Sequence, residues 1–200
     1  MSDHYFSEQP GSVEKRQPVS VSVWGRTLDL ESASGVFAAG RLDIGTSVLF
    51  RETEPPVRSG RYLDLGCGYG VIACAIAAAV PTAEVWAVDV NERALGVARD
   101  NAATLGMTDR VTTALPDDVP ADLAFDEIWS NPPIRIGKPA LHDLLLTWLR
   151  RLAPHGRAVL VVGKNLGADS LQRWIAEQGY TCRRTGSAKG FRVLEVTRAG

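Results

Sequence analysis

Apolar residues along the chain fall into short strand-like runs that alternate with longer helix-like runs. Residues 61–65 form a short apolar run, and an Ala-rich segment follows over residues 71–80 and ends before Pro81. The same order recurs as a strand at 84–89 and a helix at 91–105, whose apolar residues are three or four positions apart. Such alternation favours a parallel sheet covered by helices on both faces.

This alternation continues through the second half of the chain. Two strands, a helix, a strand and a helix are predicted at 110–114, 125–130, 139–152, 157–163 and 169–178. The last two strands, 180–185 and 191–197, follow one another without a helix between them. We therefore expect them to pair antiparallel through a turn at 186–190.

The segment before the sheet has a different pattern. Three valines between residues 19 and 23 alternate with serines and lead through a Trp-Gly pair to a second short run, which predicts a β-hairpin. An apolar helical run starts at Val48. We divide the chain into residues 1–58, which hold a tail, the hairpin and a helix that pack on the core, and a core at 59–200.

Composition limits the class of protein. The chain has 200 residues, of which 45% are hydrophobic, and this suits one domain with a full core. No run approaches the 18 apolar residues of a membrane span, and the N-terminal residues lack the apolar region of a signal peptide. Cys67, Cys74 and Cys182 are odd in number and lack metal-ligand spacing, so we expect a cytoplasmic protein with reduced cysteines and no metal.

Charge is distributed unevenly along the chain. Residues 1–130 carry 10 Lys and Arg against 19 Asp and Glu, whereas residues 131–200 carry 12 against 4. Such segregation favours a polyanionic partner near the basic part. The alternative is that the basic residues form solvated faces that are neutralised by acids from the first part, and the sequence leaves both interpretations open.

The segment RYLDLGCGYG at residues 61–70 carries the strongest chemical signal. Gly66, Gly68 and Gly70 follow the strand at alternate positions, and glycine permits positive φ and a close approach of a ligand. Asp64 lies in the strand two positions before the first glycine. This arrangement predicts a polar ligand at the start of the next helix. A tight turn without a ligand and the dinucleotide loop GxGxxG are the alternatives.

Two further strand ends carry carboxylates. Asp89 ends the second strand, where a carboxylate can accept hydrogen bonds from both ribose hydroxyls. The other interpretation makes Asp89 a helix cap, but Asn91 can fill that role. Asp117 follows the third strand, where it would lie at the edge of an adenine ring or, equally well, belong to an acidic surface loop.

The strand at 125–130 delivers Asn131, Pro132 and Pro133 at its end. Two prolines make the backbone rigid and irregular there, which is typical of a functional site and less so of a plain turn. The Asn131 amide and a fixed carbonyl beside it offer two acceptors for the N–H groups of an exocyclic amine. Holding the amine in this way suits a methyl transfer that requires no general base.

Together, LDLGCGYG, VDVN and NPP resemble the motifs of the class I S-adenosylmethionine (SAM) methyltransferases that act on amino groups. With HYFSEQP near the start, GVFAAGRLDIGTSVLF before the core and GFRVLE in the last strand, the chain resembles the catalytic half of the small-subunit ribosomal RNA guanine-N2 methyltransferases. The resemblance implies a class I, Rossmann-like α/β fold. Its sheet has seven strands and is mostly parallel, with an antiparallel C-terminal hairpin, and a small N-terminal β-hairpin and helix are added to it.

The resemblance also implies a site. SAM would be the donor, a guanine amine of ribosomal RNA the acceptor, and Asn131, with Pro132 and Pro133, the catalytic segment. The residues expected to border the cofactor are Phe37, Asp43, Asp64, Gly66, Cys67, Gly68, Asp89, Val90, Asn91, Asp117 and Asn131. Asp43 has a second interpretation, because Asp43 or Thr46 can simply cap the helix that follows.

The chain departs from the family pattern in two respects. An aromatic residue usually follows the two prolines and stacks on the target base, whereas Ile134 stands here, followed by Arg135 and, further on, Lys138. We expect these three residues to contact the substrate, with the Arg135 guanidinium able to stack on a base. Longer relatives carry an additional N-terminal domain, so recognition here would use the single domain, a dimer or another partner.

Several functions share parts of this pattern. A protein glutamine amide or a DNA adenine offers the same kind of amine, a nicotinamide-dependent oxidoreductase also uses a glycine loop and a strand-end acid, and a non-catalytic binding domain would keep the fold. The resemblance favours ribosomal RNA or the small ribosomal subunit as partner. We expect no membrane association, and a monomer or a homodimer.

Overall fold

The computed structural model describes residues 13–199, so the aromatic group His4, Tyr5 and Phe6 lies outside the described residues. The first two strands, β1 (Arg16–Val23) and β2 (Arg26–Ala33), pair antiparallel as the predicted hairpin. Trp24 and Gly25 both have positive φ, which is the backbone that a two-residue hairpin turn requires.

The predicted seven-stranded sheet is present and follows the hairpin. Its strands are β3 (Arg61–Leu65), β4 (Glu84–Val88), β5 (Val111–Ala114), β6 (Phe125–Ser130), β7 (Leu152–Gly163), β8 (Tyr180–Ala188) and β9 (Phe191–Arg198). They lie in the order β5-β4-β3-β6-β7-β9-β8. The first five pair in parallel, and β9 pairs antiparallel with both β7 and β8, which confirms the closing hairpin.

Helices cover both faces of this sheet. They are α1 (Ile44–Arg51), α2 (Val71–Ala79), α3 (Glu92–Thr104), α4 (Lys138–Leu149) and α5 (Ala168–Glu177). The hairpin, α1, α2 and α3 share one hydrophobic core, whereas α4 and α5 form the core of the opposite face. Neighbouring residues Ile128 and Trp129 of β6 point into different cores, as the period of a strand requires.

One buried amide joins the hairpin to the glycine loop. Asn101 of α3 accepts a hydrogen bond from the Glu31 N–H at 2.8 Å and donates to the Glu31 carbonyl at 2.8 Å, as a neighbouring strand would. The same Asn101 side chain donates to the Tyr69 carbonyl at 2.8 Å. Tyr69 lies between the second and third glycines, so the outer edge of β2 and the loop after β3 are held by one side chain.

Two predicted helix boundaries were wrong. Helix α1 begins at Ile44 and not at Val48, because the Asp43 carboxylate accepts a hydrogen bond from the Thr46 N–H at 3.1 Å and caps it. Helix α4 ends at Leu149, and Leu152 already belongs to β7 and pairs with Phe125.

A bulge explains why β7 starts earlier than its predicted start at residue 157. The pairing of β6 with β7 shifts register between Phe125 and Glu127. Gly156 lies at this point, and a Cβ there would be 2.9 Å from the carbonyl oxygens of both Phe125 and Asp126. Only glycine fits such a close approach of two backbones.

The turn between β8 and β9 is also tighter than the predicted span of 186–190. It consists of Lys189 and Gly190, whose φ values are 48° and 78°. Gly186 lies instead within β8, where the pairing with β9 shifts register. The two strands therefore extend to the carboxyl edge of the parallel strands, where Phe191 pairs with Gly163.

Gly70 sets how closely α3 approaches the start of α2. Its φ is +81°, and an added Cβ would be 2.8 Å from the Ala98 Cβ and 3.1 Å from the Ala98 Cα. Gly106, at the end of α3, has a similar φ of +69° but open space around its Cα. An alanine at Gly106 would therefore suffer backbone strain alone, whereas an alanine at Gly70 would suffer the same strain and also overlap with Ala98.

We expect Gly70→Ala to lower the free energy of unfolding by about 3 kcal/mol, since strain and overpacking add. Gly106→Ala is the matched control and should cost about 1 kcal/mol from positive φ alone. Urea unfolding followed by circular dichroism measures both. Equal losses in the two variants would show that the contact with Ala98 does not constrain the fold.

Candidate active site

A cavity of about 450 Å³ opens at the carboxyl edge of the parallel strands. Its wall comes from the segment between β2 and α1, the glycine loop, and the residues that follow β4, β6 and β7. Ligands in open α/β sheets bind at this edge. The cavity volume lies within the range of small-molecule sites.

The glycine loop is tied to the end of the neighbouring strand. The N–H groups of Gly66 and Cys67 both donate to the Val88 carbonyl, at 2.8 and 3.0 Å. The Gly68 N–H donates to the Asp89 carboxylate at 2.9 Å. These bonds fix the loop against β4, so its backbone faces the cavity in one arrangement.

Asp64 lies behind the glycine loop and is fully buried. One carboxylate oxygen accepts a hydrogen bond from the Ala73 N–H at 2.9 Å in the first turn of α2, and the other has no partner within residues 13–199. Burial, with a smaller contribution from the charge of Asp89, raises the pKa of Asp64 to about 8. A buried carboxyl oxygen without a partner fits a cationic ligand group or a water that bridges to one.

Asp89 is positioned by two backbone donors. Besides Gly68, the Asn91 N–H donates to its carboxylate, at 3.0 Å. Partial burial raises the pKa of Asp89, although the backbone hydrogen bonds act in the opposite direction. Each carboxylate oxygen keeps a second lone pair for a ligand hydroxyl.

Asn91 supports this arrangement. As predicted, it caps α3, since its side-chain oxygen accepts from the N–H groups of Arg93 and Ala94 at 3.0 and 3.2 Å. Its side-chain nitrogen donates to the Gly35 carbonyl at 2.8 Å. The loop after β2 is thereby joined to the end of β4.

The amide of Asn131 has a fixed orientation. Its nitrogen donates to the Asp43 carboxylate at 2.7 Å and to the Thr46 hydroxyl at 3.1 Å. The Asn131 side-chain oxygen is therefore left as the hydrogen-bond acceptor, and Asn131 lines the cavity. Asp43 thus caps α1, as one of its two interpretations predicts, and orients Asn131 with the same oxygen. It also lines the cavity.

The two prolines form a tight, internally bonded turn. The Ile134 N–H donates to the Pro132 carbonyl at 2.8 Å, and the Ile136 N–H donates to the Pro133 carbonyl at 3.1 Å. Pro133 has φ −74° and ψ 75°, the backbone of an inverse γ-turn. The Pro132 carbonyl, one of those expected to hold an amine, is thus already engaged within the turn, with one lone pair remaining.

The cavity brings together most of the residues selected from the sequence. Those that line it are Phe37, Asp43, Gly66, Gly68, Asp89, Val90, Asn91, Asn131, Pro132, Pro133, Ile134 and Arg135. Asp64, in β3, and Cys67, in the glycine loop, are buried and do not belong to the cavity lining. Asp117 is exposed, and its neighbour Pro116 lines the cavity in its place. Lys138 is exposed at the start of α4, outside the lining.

Sequence reasoning missed several apolar residues of the wall, among them Leu144, Leu166 and Phe191. A Cβ built on Gly45 would be 3.0 Å from the ring of Phe191, 3.2 Å from the Asn131 nitrogen and 2.9 Å from Asp43. Phe191 therefore lies beside the Asn131 amide. The antiparallel hairpin offered the signal, since the first residue of a strand antiparallel to β7 must lie at its carboxyl end.

These residues fit the cofactor that the resemblance implies. An unpartnered buried carboxyl suits the cationic amino end of SAM, a strand-end carboxylate suits its ribose, and glycines allow close approach of its chain. Across residues 13–199, no group of three or more His, Cys, Asp and Glu side chains is arranged to bind a metal. No helix in this part of the chain is long and apolar enough to cross a bilayer.

Comparison with known proteins gives a consistent result. The family model described as methyltransferase small domain matches residues 27–195. The chain is 31% identical over 198 residues to the uncharacterized protein YbxB of Bacillus subtilis, and the match covers 98% of each. It is 38% identical over 188 residues to ribosomal RNA small subunit methyltransferase C of Vibrio vulnificus, covering 90% of this chain and 52% of that protein.

A second protein with that name, from Pseudomonas syringae, is 31% identical over 186 residues, and 54% of it is covered. The chain thus spans about half the length of these ribosomal RNA methyltransferases. Among solved structures, it is similar to the T. thermophilus 16S rRNA N2 methyltransferase RsmC in complex with AdoMet and guanosine. That likeness has a TM-score of 0.75 at 21% identity and covers 94% of this chain and 52% of the other, which shows the class I methyltransferase fold.

The raised pKa of Asp64 predicts how stability changes with pH. An aspartate in the unfolded chain ionises near pH 4 (about 3.9), whereas Asp64 in the folded chain keeps its proton up to about pH 8. The folded state therefore binds more protons within this window. The protonated Asp64 side chain therefore makes its full contribution to the free energy of unfolding below about pH 4. This contribution decreases as the pH rises from about 4 and is lost at about pH 8.

We expect the free energy of unfolding of the wild type to fall between about pH 5 and pH 8 relative to that of Asp64→Asn, which has no proton to lose. Urea unfolding of both proteins across this range gives the difference curve. All other titrating groups are common to the two proteins and cancel. A flat difference curve would mean that Asp64 is ionised in the folded protein at neutral pH.

Proposed function

The chain belongs to the methyltransferase small domain family, and on that premise we propose that it methylates the N2 amine of a guanine in small-subunit ribosomal RNA. The donor is SAM. The acceptor is supported by the names of relatives that are 31–38% identical and by a similar structure that holds guanosine. The observation that carries the proposal is the orientation of the Asn131 amide, which presents an acceptor to the cavity.

Residues of this chain account for the cofactor's binding groups. The Asp89 carboxylate is held by two N–H groups and would accept hydrogen bonds from the ribose hydroxyls. The segment Gly66–Gly68 would lie against the methionine portion. Asp64, whose raised pKa a nearby cation would lower, would give up its proton and supply a negative charge for the amino group. When bound, SAM supplies an electrophilic methyl carbon on a positively charged sulfur.

Asn131 positions the acceptor. Its side-chain oxygen accepts an N–H of the guanine amine, because its nitrogen is already committed to Asp43 and Thr46. This hydrogen bond draws the amine lone pair away from the ring and directs it at the donor, and positioning of this kind supplies much of the rate. The methylated amine then loses its proton to water. No histidine within residues 13–199 lines the cavity to act as a base.

Phe191 provides the aromatic surface that Ile134 lacks. It lies beside the Asn131 amide and lines the cavity together with Ile134. A base whose amine reaches Asn131 would therefore meet the Phe191 ring. In this arrangement, the last strand supplies the contact that the residue after the two prolines supplies in other members of the family.

A protein glutamine amide and a DNA adenine carry similar amines, so the acceptor is distinguished by experiment. We place the enzyme in the cytoplasm, where the small ribosomal subunit is its partner. Incubation with tritiated SAM and hypomethylated small subunits should label the RNA, and digestion should give N2-methylguanosine. Label in ribosomal protein alone, or in DNA offered in parallel, would overturn the RNA assignment.

We expect Asn131→Ala to lower kcat for RNA methylation by about 100-fold, since it removes a hydrogen bond that positions the reacting amine. Affinity for SAM, measured by calorimetry, should change by less than about tenfold. Asn165→Ala is the matched control, because Asn165 is exposed and lies outside the cavity lining. If Asn131→Ala kept the full kcat, the Asn131 amide would not take part in positioning the amine.

We expect Phe191→Leu to lower kcat/KM for RNA about tenfold through KM, because base stacking on an aromatic ring contributes about 1–3 kcal/mol. Phe191→Tyr keeps the ring and should restore most of the activity. SAM affinity should be the same in both variants. If leucine and tyrosine behave alike, the ring does not contact the base.

A further inference from the structure

The carboxyl edge of the sheet is divided by charge. Where β4 and β5 end, three carboxylates stand at this edge: Asp89, Asp117 and Asp118. Beyond β6 and β7 and at the β8–β9 turn, four basic residues stand at the same edge: Arg135, Lys138, Lys164 and Lys189. We refer to these four residues as the basic rim. The acidic half adjoins the cofactor groups, and the basic half adjoins Asn131.

Part of the other basic charge in the C-terminal third is engaged within the fold. Arg157 pairs with Glu127 and Glu195 at 3.2 and 3.1 Å, and Arg183 pairs with Glu195 at 2.9 Å. Arg192 pairs with Asp169. Arg151 and Arg198 donate to backbone carbonyls, for example those of Leu123 and Leu152. These arginines already have partners within the fold.

The basic rim is different. Its four residues are all exposed, and none of them forms an ion pair with a carboxylate of the described chain. Arg135 also lines the cavity, so the rim reaches the place where the acceptor binds. Four uncompensated cations at one edge create a field that attracts a polyanion.

The rim stands on a rigid support. Lys138 opens α4, and Lys164 follows β7 directly, with its N–H donating to the Gly190 carbonyl at 2.7 Å. Lys189 is the neighbour of Gly190 in the two-residue turn. From the end of β6 to the β8–β9 turn, the rim crosses three strand spacings, about 14 Å. This length accommodates several nucleotides rather than a single phosphate.

We propose that the basic rim binds the phosphates on either side of the guanine that enters the cavity. The inference rests on the proposed function, since it takes the acceptor to be part of an RNA strand. Phosphate contacts fix the register of a nucleic acid without reading its sequence. The rim thereby performs, within one domain, the positioning of the strand relative to Asn131.

The test compares two variants of equal charge. In the first, Arg135, Lys138, Lys164 and Lys189 are all changed to Gln. In the control, Arg58, Arg150, Arg173 and Arg184 are changed to Gln; these are also exposed and without an ion pair, but they lie away from the carboxyl edge. Fluorescence anisotropy with a short RNA hairpin that has a guanine in its loop measures affinity as a function of salt. Calorimetry with SAM verifies that each variant is folded.

We expect the rim variant to bind the hairpin at least tenfold more weakly near 0.1 M salt and to reduce the slope of log K against log salt by about 3, the loss of about four contacts. The control should change affinity by less than about threefold. Equal losses of RNA affinity in the two variants would contradict the proposal, because the total charge of the protein, and not the position of the basic rim, would then explain binding.

Methyl transfer to hypomethylated subunits separates this result from the proposed function. If the rim and control variants bind alike but the wild type still labels guanine N2, only the rim is wrong. If the wild type neither binds the hairpin nor labels RNA, both proposals fail.

Discussion

The parallel pairing of β4, β3 and β6 is the constraint on which the site depends. It brings three chain segments that are far apart in sequence to one edge of the sheet, and it leaves their polar ends without strand partners. The segments then bond to one another: Gly66 and Cys67 to Val88, and Ser130 to Leu65. The cavity wall is thus an extension of the sheet's own hydrogen bonding, which makes it rigid before any ligand arrives.

On this rigid edge, most side chains have structural and chemical roles at once. Asp43 caps a helix and orients the Asn131 amide, and Asn91 caps another helix and anchors the loop after β2. Asp64 accepts a hydrogen bond at the start of α2 and carries a raised pKa in the core. Substitution at such positions disturbs folding and ligand binding together. Asn131 and Phe191 are the more selective probes of the chemistry, because neither side chain caps a helix, although Asn131 does donate to Asp43 and Thr46 at the start of α1.

Local signals made much of this structure predictable. Strand and helix alternation gave the layers, and the motifs at Gly66–Gly70, Asp89 and Asn131 identified segments that do meet at one cavity. Errors arose where the cause was not local. The bulge opposite Phe125 moved the start of β7. Asp117 is exposed, as its interpretation as part of an acidic surface loop predicts.

The site contacts that the sequence did not reveal are long-range. Asp43 and Asn131 are 88 positions apart, and only the packing of α1 against the sheet brings them within 2.7 Å. Phe191 enters the wall because β9 runs antiparallel to β7. Likewise, the segregation of charge along the chain could be interpreted only after the ion pairs of Arg157, Arg183 and Arg192 were located.

The Asn101 side chain, which is hydrogen-bonded to both the hairpin and the glycine loop, limits how the protein can be shortened or recombined. A β-hairpin that precedes the main sheet can be taken for a separate addition to the fold. Here, however, strand β2 of the hairpin and the glycine loop are both hydrogen-bonded to the side chain of Asn101. Removal or exchange of the hairpin would eliminate two of the three hydrogen bonds of the Asn101 side chain, and the glycine loop would become less firmly held. The minimal transplantable unit of this catalyst therefore starts at the hairpin and not at the first strand of the large sheet.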